Sequence, residues 1–175
     1  MNQKSRNKTS IHLMLVVSIV IAAAAAFLTF IFLTVAVFAG SSMSPTLKTG
    51  DVLLTVKGLE VERGDMVAFY HGNNRIVRRC IGIPGDEINI DEEGNVFVNG
   101  EELDEPYLEQ TTAENGDLTY PYQVPAGRYF VLGDNRKVAS DSRSSIVGCI
   151  SKEQLAGKVL FRIWPLSEIT VFSGN

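Results

Sequence analysis

The first stretch with chemical potential is Gly40-Ser41-Ser42-Met43-Ser44-Pro45-Thr46-Leu47. It offers serine hydroxyls on a segment restrained by Gly and Pro. A hydroxyl becomes a working nucleophile only with a base, an oxyanion donor and a fixed line of approach. Standing alone, the stretch reads more readily as a flexible linker. Two later segments could supply the missing partners. One begins at Arg63-Gly64-Asp65 and returns through Arg78-Arg79-Cys80-Ile81-Gly82-Ile83-Pro84-Gly85-Asp86. The other is Gly133-Asp134-Asn135-Arg136, followed by Asp141-Ser142-Arg143. Each by itself also reads as turn chemistry. No Cys/His spacing suggests a metal and no Gly-rich loop suggests a nucleotide, so no cofactor is expected.

These segments must be carried by strands. Short apolar runs at 52–56, 65–71, 75–83, 87–90, 95–99, 128–133 and 158–164 are separated by turn signals such as Asn99-Gly100 and Gly72-Asn73-Asn74. The spacing predicts a mostly β, compact antiparallel domain over 40–175. Ser151 and Gln154 have capping-box spacing, which predicts a helical turn over 151–156. The polar segment 101–123, with Pro106 and Pro121, reads as a surface excursion.

Charge divides the chain. Of 16 basic and 20 acidic residues, Lys4, Arg6 and Lys8 precede any acid, and from Gly40 onward 13 basic residues face 20 acidic ones, a net −7. The balance offers no footprint for nucleic acid. Between 11 and 39 only His12, Ser18, Thr29 and Thr34 interrupt an uncharged apolar run, longer than the roughly 20 residues a spanning helix needs. The sequence therefore predicts a basic cytoplasmic tail over 1–10, one transmembrane helix over 11–39 and the acidic domain outside, a single-pass cell-membrane protein with the lipid bilayer as a partner. A cleaved signal peptide is the rival reading. It fits less well, since the apolar run continues far past Ala26 with no A-x-A site.

Taken in order, the motifs closely resemble the type I signal peptidases, membrane-bound serine endopeptidases of the Ser/Lys dyad type, in their Gram-positive form. The resemblance includes Gly50 to Leu53, the stretch from Val98 to Leu108 and the closing Gly157 to Trp164. It implies a β-rich catalytic domain, Ser42 as nucleophile and its own N–H as an oxyanion donor. Gly40 stands where some members carry a second, hydroxyl donor. Asp134, Asn135, Arg136, Asp141 and Arg143 are implied as the frame of the site, the last two as an ion pair. Met43 suits lipid and core equally. Cys80 and Cys149 could pair or stay as buried thiols.

The base position departs from the family. Its Lys aligns with Arg78, and the Ser that orients that Lys aligns with Ala139, with Ser140 one residue late. Arg is not deprotonated in proteins, and a neutral guanidine at pH 7 would cost about 7.5 kcal/mol. His71 is a substitute only in another register. With a three-residue turn at 72–74 it pairs with Arg75, Ala68 faces Arg78, and His71 lies roughly 10 Å along the strand from that position. Lys57 and Lys137 read as solvated surface charges. The reading that follows is a membrane-anchored peptidase removing signal peptides of exported proteins after small residues. The alternative is a catalytically impaired homologue acting as a binding or assembly factor, for example for surface pilins.

Overall fold

The computed structural model describes residues 3–112, 116–172 and 174, with the side chains of 3–11 and 27–31 outside the described part. The chain divides into two compact units, Met1–Leu33 and Thr34–Asn175. The first is helix α1 (Gln3–Phe32), whose described side chains, 12–26 and 32, are all exposed. Among the described residues no helix is long and apolar enough to cross a membrane. The expected basic tail is helical from Gln3; its three cations lie outside the described side chains.

The helix also stops earlier than its hydropathy suggests. Residues 33–37 form strand β1 (Leu33–Val37) instead of continuing to Ala39. An uncharged run reports burial or lipid but not backbone state, and Thr34, Val35 and Val37 are β-branched. A partner strand decides the matter. The Thr34 carbonyl accepts from Thr55 Oγ1 at 3.0 Å, and Phe38 N–H donates to the Asp51 carbonyl at 2.8 Å. The outer sheet thus begins inside the expected helix.

Two sheets build the second unit. The larger has the order β1, β2 (Val52–Val56), β11 (Leu155–Trp164), β3 (Met66–His71), β4 (Asn74–Gly82), β9 (Arg128–Leu132), β10 (Ile150–Ser151), with β12 (Thr170–Val171) also on β11. The smaller has the order β7 (Glu101–Glu102), β6 (Val96–Val98), β5 (Glu87–Ile90), β8 (Tyr122–Gln123). The expected mostly antiparallel β class holds, and the seven expected runs all lie on strands. Of the five strands missed, β7, β8, β10 and β12 carry too few residues for a period-2 signal, and β1 lies hidden in the apolar run.

Three further expectations change. Residues 152–154 form a turn, not a helix: Ser151 N–H does reach back to Gln154 Oε1 at 2.8 Å, but Leu155 enters β11 at once. The hairpin between β3 and β4 has a two-residue turn, so His71 pairs with Asn74 and Val67 faces Arg78. His71 is then four residues from that position, about 13 Å along the strand. Segment 101–123 carries β7 and β8 and sends Glu105 and Tyr107 inward to ion-pair and stack with arginines. Its residues 113–115 lie outside the described part.

Packing places one core beneath the serine loop. Met43 and Leu47, both fully buried, join Phe38, Leu53, Met66, Ala68, Val77 and Val159. Met43 therefore belongs to the protein core. Burying such a side chain contributes about 1.5–3 kcal/mol, so the loop is anchored directly after Ser42 and directly after Thr46. Cys80 and Cys149 are buried and unpaired. Burial pushes both thiols up from their ordinary pKa.

Candidate active site

Ser42 sits on the loop between β1 and β2. Gly40 opens that loop at φ +105°, a conformation that L side chains rarely adopt. Thr49 clamps Gly40 from both directions, accepting from its N–H and donating to its carbonyl, each at 3.0 Å. Ser44 N–H to the Ser41 carbonyl and Leu47 N–H to the Met43 carbonyl tighten the turn. Asn135 N–H donates to the Ser42 carbonyl at 3.0 Å, tying this loop to residues 133–143.

Gly133 makes that approach possible. A Cβ there would lie 2.3 Å from Ala139 Cβ and 2.6 Å from the Ser42 carbonyl oxygen. The glycine is needed for space, not for turn geometry, whereas the sequence reading had it as the end of the run 128–133 and the start of a turn. Its signal was present: a Gly directly after the buried strand β9, where the chain must let another backbone close.

Strand β4 delivers the second key group. Arg78 Nη1 donates to Ser42 Oγ at 2.8 Å. The same guanidinium donates from Nη1 to the Val77 carbonyl at 2.6 Å, and from Nε and Nη2 to the Ser140 carbonyl at 3.1 and 2.8 Å. Arg78 is only 6% exposed, and burial pulls its pKa down, with Asp141 opposing and Arg143 adding to the effect. It stays a cation all the same. Ser140 thus meets position 78 through its main chain, while Ala139 is buried against Gly133.

The remaining expected residues form an ion-paired scaffold around this pair. Asp134 takes Arg79 Nε and Nη2 at 2.9 and 2.6 Å and Thr46 Oγ1 at 2.5 Å. Asp141 takes Arg143 Nε and Nη2 at 2.9 and 3.0 Å and Gly133 N–H at 3.0 Å. Arg136 pairs with Glu105 and donates to the Gly133 carbonyl. Arg143 in turn donates to the Arg136 carbonyl at 2.6 Å. Glu105 and Tyr107 were not singled out by sequence reasoning, although they stand in the stretch 98–108. Glu105 reaches Arg136 across 31 residues and Tyr107 lies under Arg79 of β4, contacts that no local pattern encodes.

A cleft of about 230 Å³ opens beside Ser42 and Arg78. Ala36, Val37, Phe38, Ala39, Leu53, Ile76 and Val77 give it apolar walls, and Arg75 lines it too. A larger hollow of about 810 Å³ lies along residues 95–111, away from the serine. Of the two, the smaller one is lined by Ser42.

The class that fold and site define is a mostly antiparallel β domain with a serine loop at the mouth of a small apolar cleft. The comparisons give the family. The model of the signal peptidase family, peptidase S26, matches residues 10–164. Signal peptidase IB of Staphylococcus aureus strain COL is 40% identical over 149 residues, covering 74% of this chain and 76% of that protein. Signal peptidase I of Streptococcus pneumoniae serotype 4 is 33% identical over 172 residues, covering 76% and 83%. Among solved structures, a signal peptidase I from Enterococcus faecalis V583 is similar over 57% of this chain and 97% of its own, with 30% identity and a TM-score of 0.46. The chain belongs to the signal peptidase family, peptidase S26.

Proposed function

We propose that the protein is a membrane-anchored signal peptidase I that removes signal peptides of exported proteins, with Ser42 as nucleophile. The observation that carries this reading is membership of the signal peptidase family, with Ser42 held at the mouth of a small apolar cleft. An extended peptide with small side chains before the scissile bond suits walls of this size. Ser42 attacks the carbonyl, the amine leaves, and water releases the acyl group from the serine.

Helix α1 is the proposed anchor. Residues 11–32 carry no charge and rise about 33 Å as a helix, enough for the hydrocarbon core, with Lys4, Arg6 and Lys8 at the cytoplasmic end. The domain from Thr34 onward then faces outside, where signal peptides emerge.

The proton of Ser42 needs an acceptor, and Arg78 occupies that position as a donor. Catalysis then rests on binding, oxyanion stabilisation and a proton taken by water. Such a remainder is worth about 10³–10⁴-fold over the uncatalysed reaction. The same donor geometry is the one observation favouring the alternative, a binding homologue, while family membership favours the peptidase. One assay decides. The full chain in detergent, incubated with an exported preprotein, is expected to release the mature protein slowly, and Ser42→Ala abolishes the release. Cleavage that persists in Ser42→Ala, or is absent from the unaltered chain, removes the peptidase reading.

A further inference from the structure

Carboxylates partner most of the withdrawn arginines: Arg79 with Asp134, Arg136 with Glu105, Arg143 with Asp141 and Arg162 with Asp51. Arg75 and Arg78 break the pattern. Among the described residues neither has a carboxylate within ion-pair distance, and both line the cleft beside Ser42. Arg75 donates from Nη2 to Thr55 Oγ1 at 2.7 Å, while its Nε is buried without a hydrogen-bond partner. Arg78 directs four of its five N–H groups to neutral oxygens. No acidic residue lines the cleft, although the domain around it is acidic.

A withdrawn cation without an anion is costly, and an incoming anion relieves it. Asp134 and Asp141, whose charges reach Arg78, are already held by Arg79 and Arg143. Ser42 is oriented to help. Because Nη1 donates into a lone pair of Oγ, the hydroxyl proton is free to donate outward. An acceptor placed beside Oγ meets a hydroxyl donor backed by a guanidinium, an arrangement that suits a carboxylate better than a neutral amide carbonyl.

We infer that the cleft is a receptor for peptide C-termini, holding a free α-carboxylate at Ser42 Oγ and Arg78 with small apolar residues against residues 36–39, Leu53 and Val77. The inference rests on the signal peptidase reading of the same cleft and deepens it. The carboxylate-bearing fragment left by cleavage is then a tightly held ligand. A bare inorganic anion would satisfy the arginine but leave the apolar walls in water. A volume equal to about eight waters leaves room for a few small residues.

The test uses the full chain in detergent micelles and a fluorescent hexapeptide ending in Ala-Gln-Ala, as the free acid and as the C-terminal amide. Anisotropy is expected to show the acid binding at least tenfold tighter, as a hydrogen bond to a charged group implies. Arg78→Gln is expected to abolish the preference, with a thermal melt showing that the variant is folded. Equal affinity of acid and amide for the unaltered chain overturns the inference, and this comparison needs no variant. Survival of the preference in folded Arg78→Gln overturns it as well, as does acetate binding as tightly as the peptide. Preprotein cleavage by the unaltered chain with no preference for the acid removes this inference alone. No cleavage with the preference intact removes the peptidase reading alone.

Discussion

Arg78 and Arg79 are neighbours on β4 and both are withdrawn from water, yet they sit in different kinds of surroundings. Arg79 meets Asp134 through two parallel bonds and lies over the Tyr107 ring at 3.8 Å. Arg78, on the opposite face of the strand, meets a hydroxyl and two carbonyls. The first arrangement satisfies charge with charge and holds three loops together. The second keeps a charge available. A guanidinium in a closed ion pair is framework, whereas one bonded only to neutral oxygens beside an open cleft is disposed toward a ligand.

Stability measurements give the largest way to break this contrast. Asp134→Ala strands the Arg79 charge and is expected to cost about 3–5 kcal/mol in urea unfolding. Arg78→Met removes a charge that had no counter-ion, so the change should stay within about 1 kcal/mol. Equal losses in the two variants would remove the distinction.

Next in size is catalysis. Arg78→Lys places a group that can lose its proton beside Ser42, and burial lowers a lysine's pKa. Preprotein cleavage is expected to rise by about 10²-fold. The sign of the pH dependence is fixed: the neutral amine is the base, so the rate of the variant climbs with pH through the lysine's lowered pKa and then levels. The unaltered chain shows no such inflection, because Arg78 remains charged throughout. Ala139→Ser added to Arg78→Lys sharpens the comparison by supplying a hydroxyl next to the new amine. A flat profile in Arg78→Lys would mean that position 78 does not touch the proton transfer.

Gly133→Ala comes third. Its methyl group meets Ala139 and the Ser42 carbonyl, so the serine loop must shift. Unfolding experiments are expected to show a loss of about 1–3 kcal/mol, together with weaker cleavage. A fully active, equally stable variant would contradict the close approach.

The smallest effect concerns Asp86, far from the serine loop in sequence and bonded to Arg63. Burial alone would raise its pKa, but hydrogen bonds from Arg63, Ile83 N–H and Asn99 leave it below the ordinary carboxylate value. The lowered folded-state pKa means a contribution fully present above the unfolded value, about pH 4, and lost as pH falls through the folded one. Asp86→Asn is expected to flatten the stability profile below about pH 4 and leave cleavage near neutrality unchanged. An unaltered acid profile would remove the assignment.

How much of this was legible beforehand differs from element to element. Strands such as β5, with Ile88 and Ile90 inward and Glu87 and Asn89 outward, announce themselves by alternation. The run at 33–37 does not, because an apolar segment without polar interruptions looks alike as helix or strand until a partner pairs with it. Register is similarly out of reach. One residue more in the turn at 72–74 moves every pair on β3 and β4, and His71 with them. At the site, the motif order alone pointed to Ser42 and to position 78. That Ser140 would contribute its carbonyl, that Ala139 would sit against Gly133, and that Glu105 and Tyr107 would reach the frame were not readable, since each depends on a contact between distant loops.

The sequence by itself determined an acidic, mostly β domain behind an apolar leader, a serine motif, and a cation whose proton cannot be withdrawn. These follow from composition, periodicity and the chemistry of single side chains. Only the tertiary structure decided where that cation points. Ser42, Arg78 and Ser140 are separated by 36 and 62 residues and meet through hydrogen bonds made after the sheet has closed. Hydropathy specifies which residues leave water, but the choice of acceptor for a buried N–H belongs to the neighbours that packing brings to it.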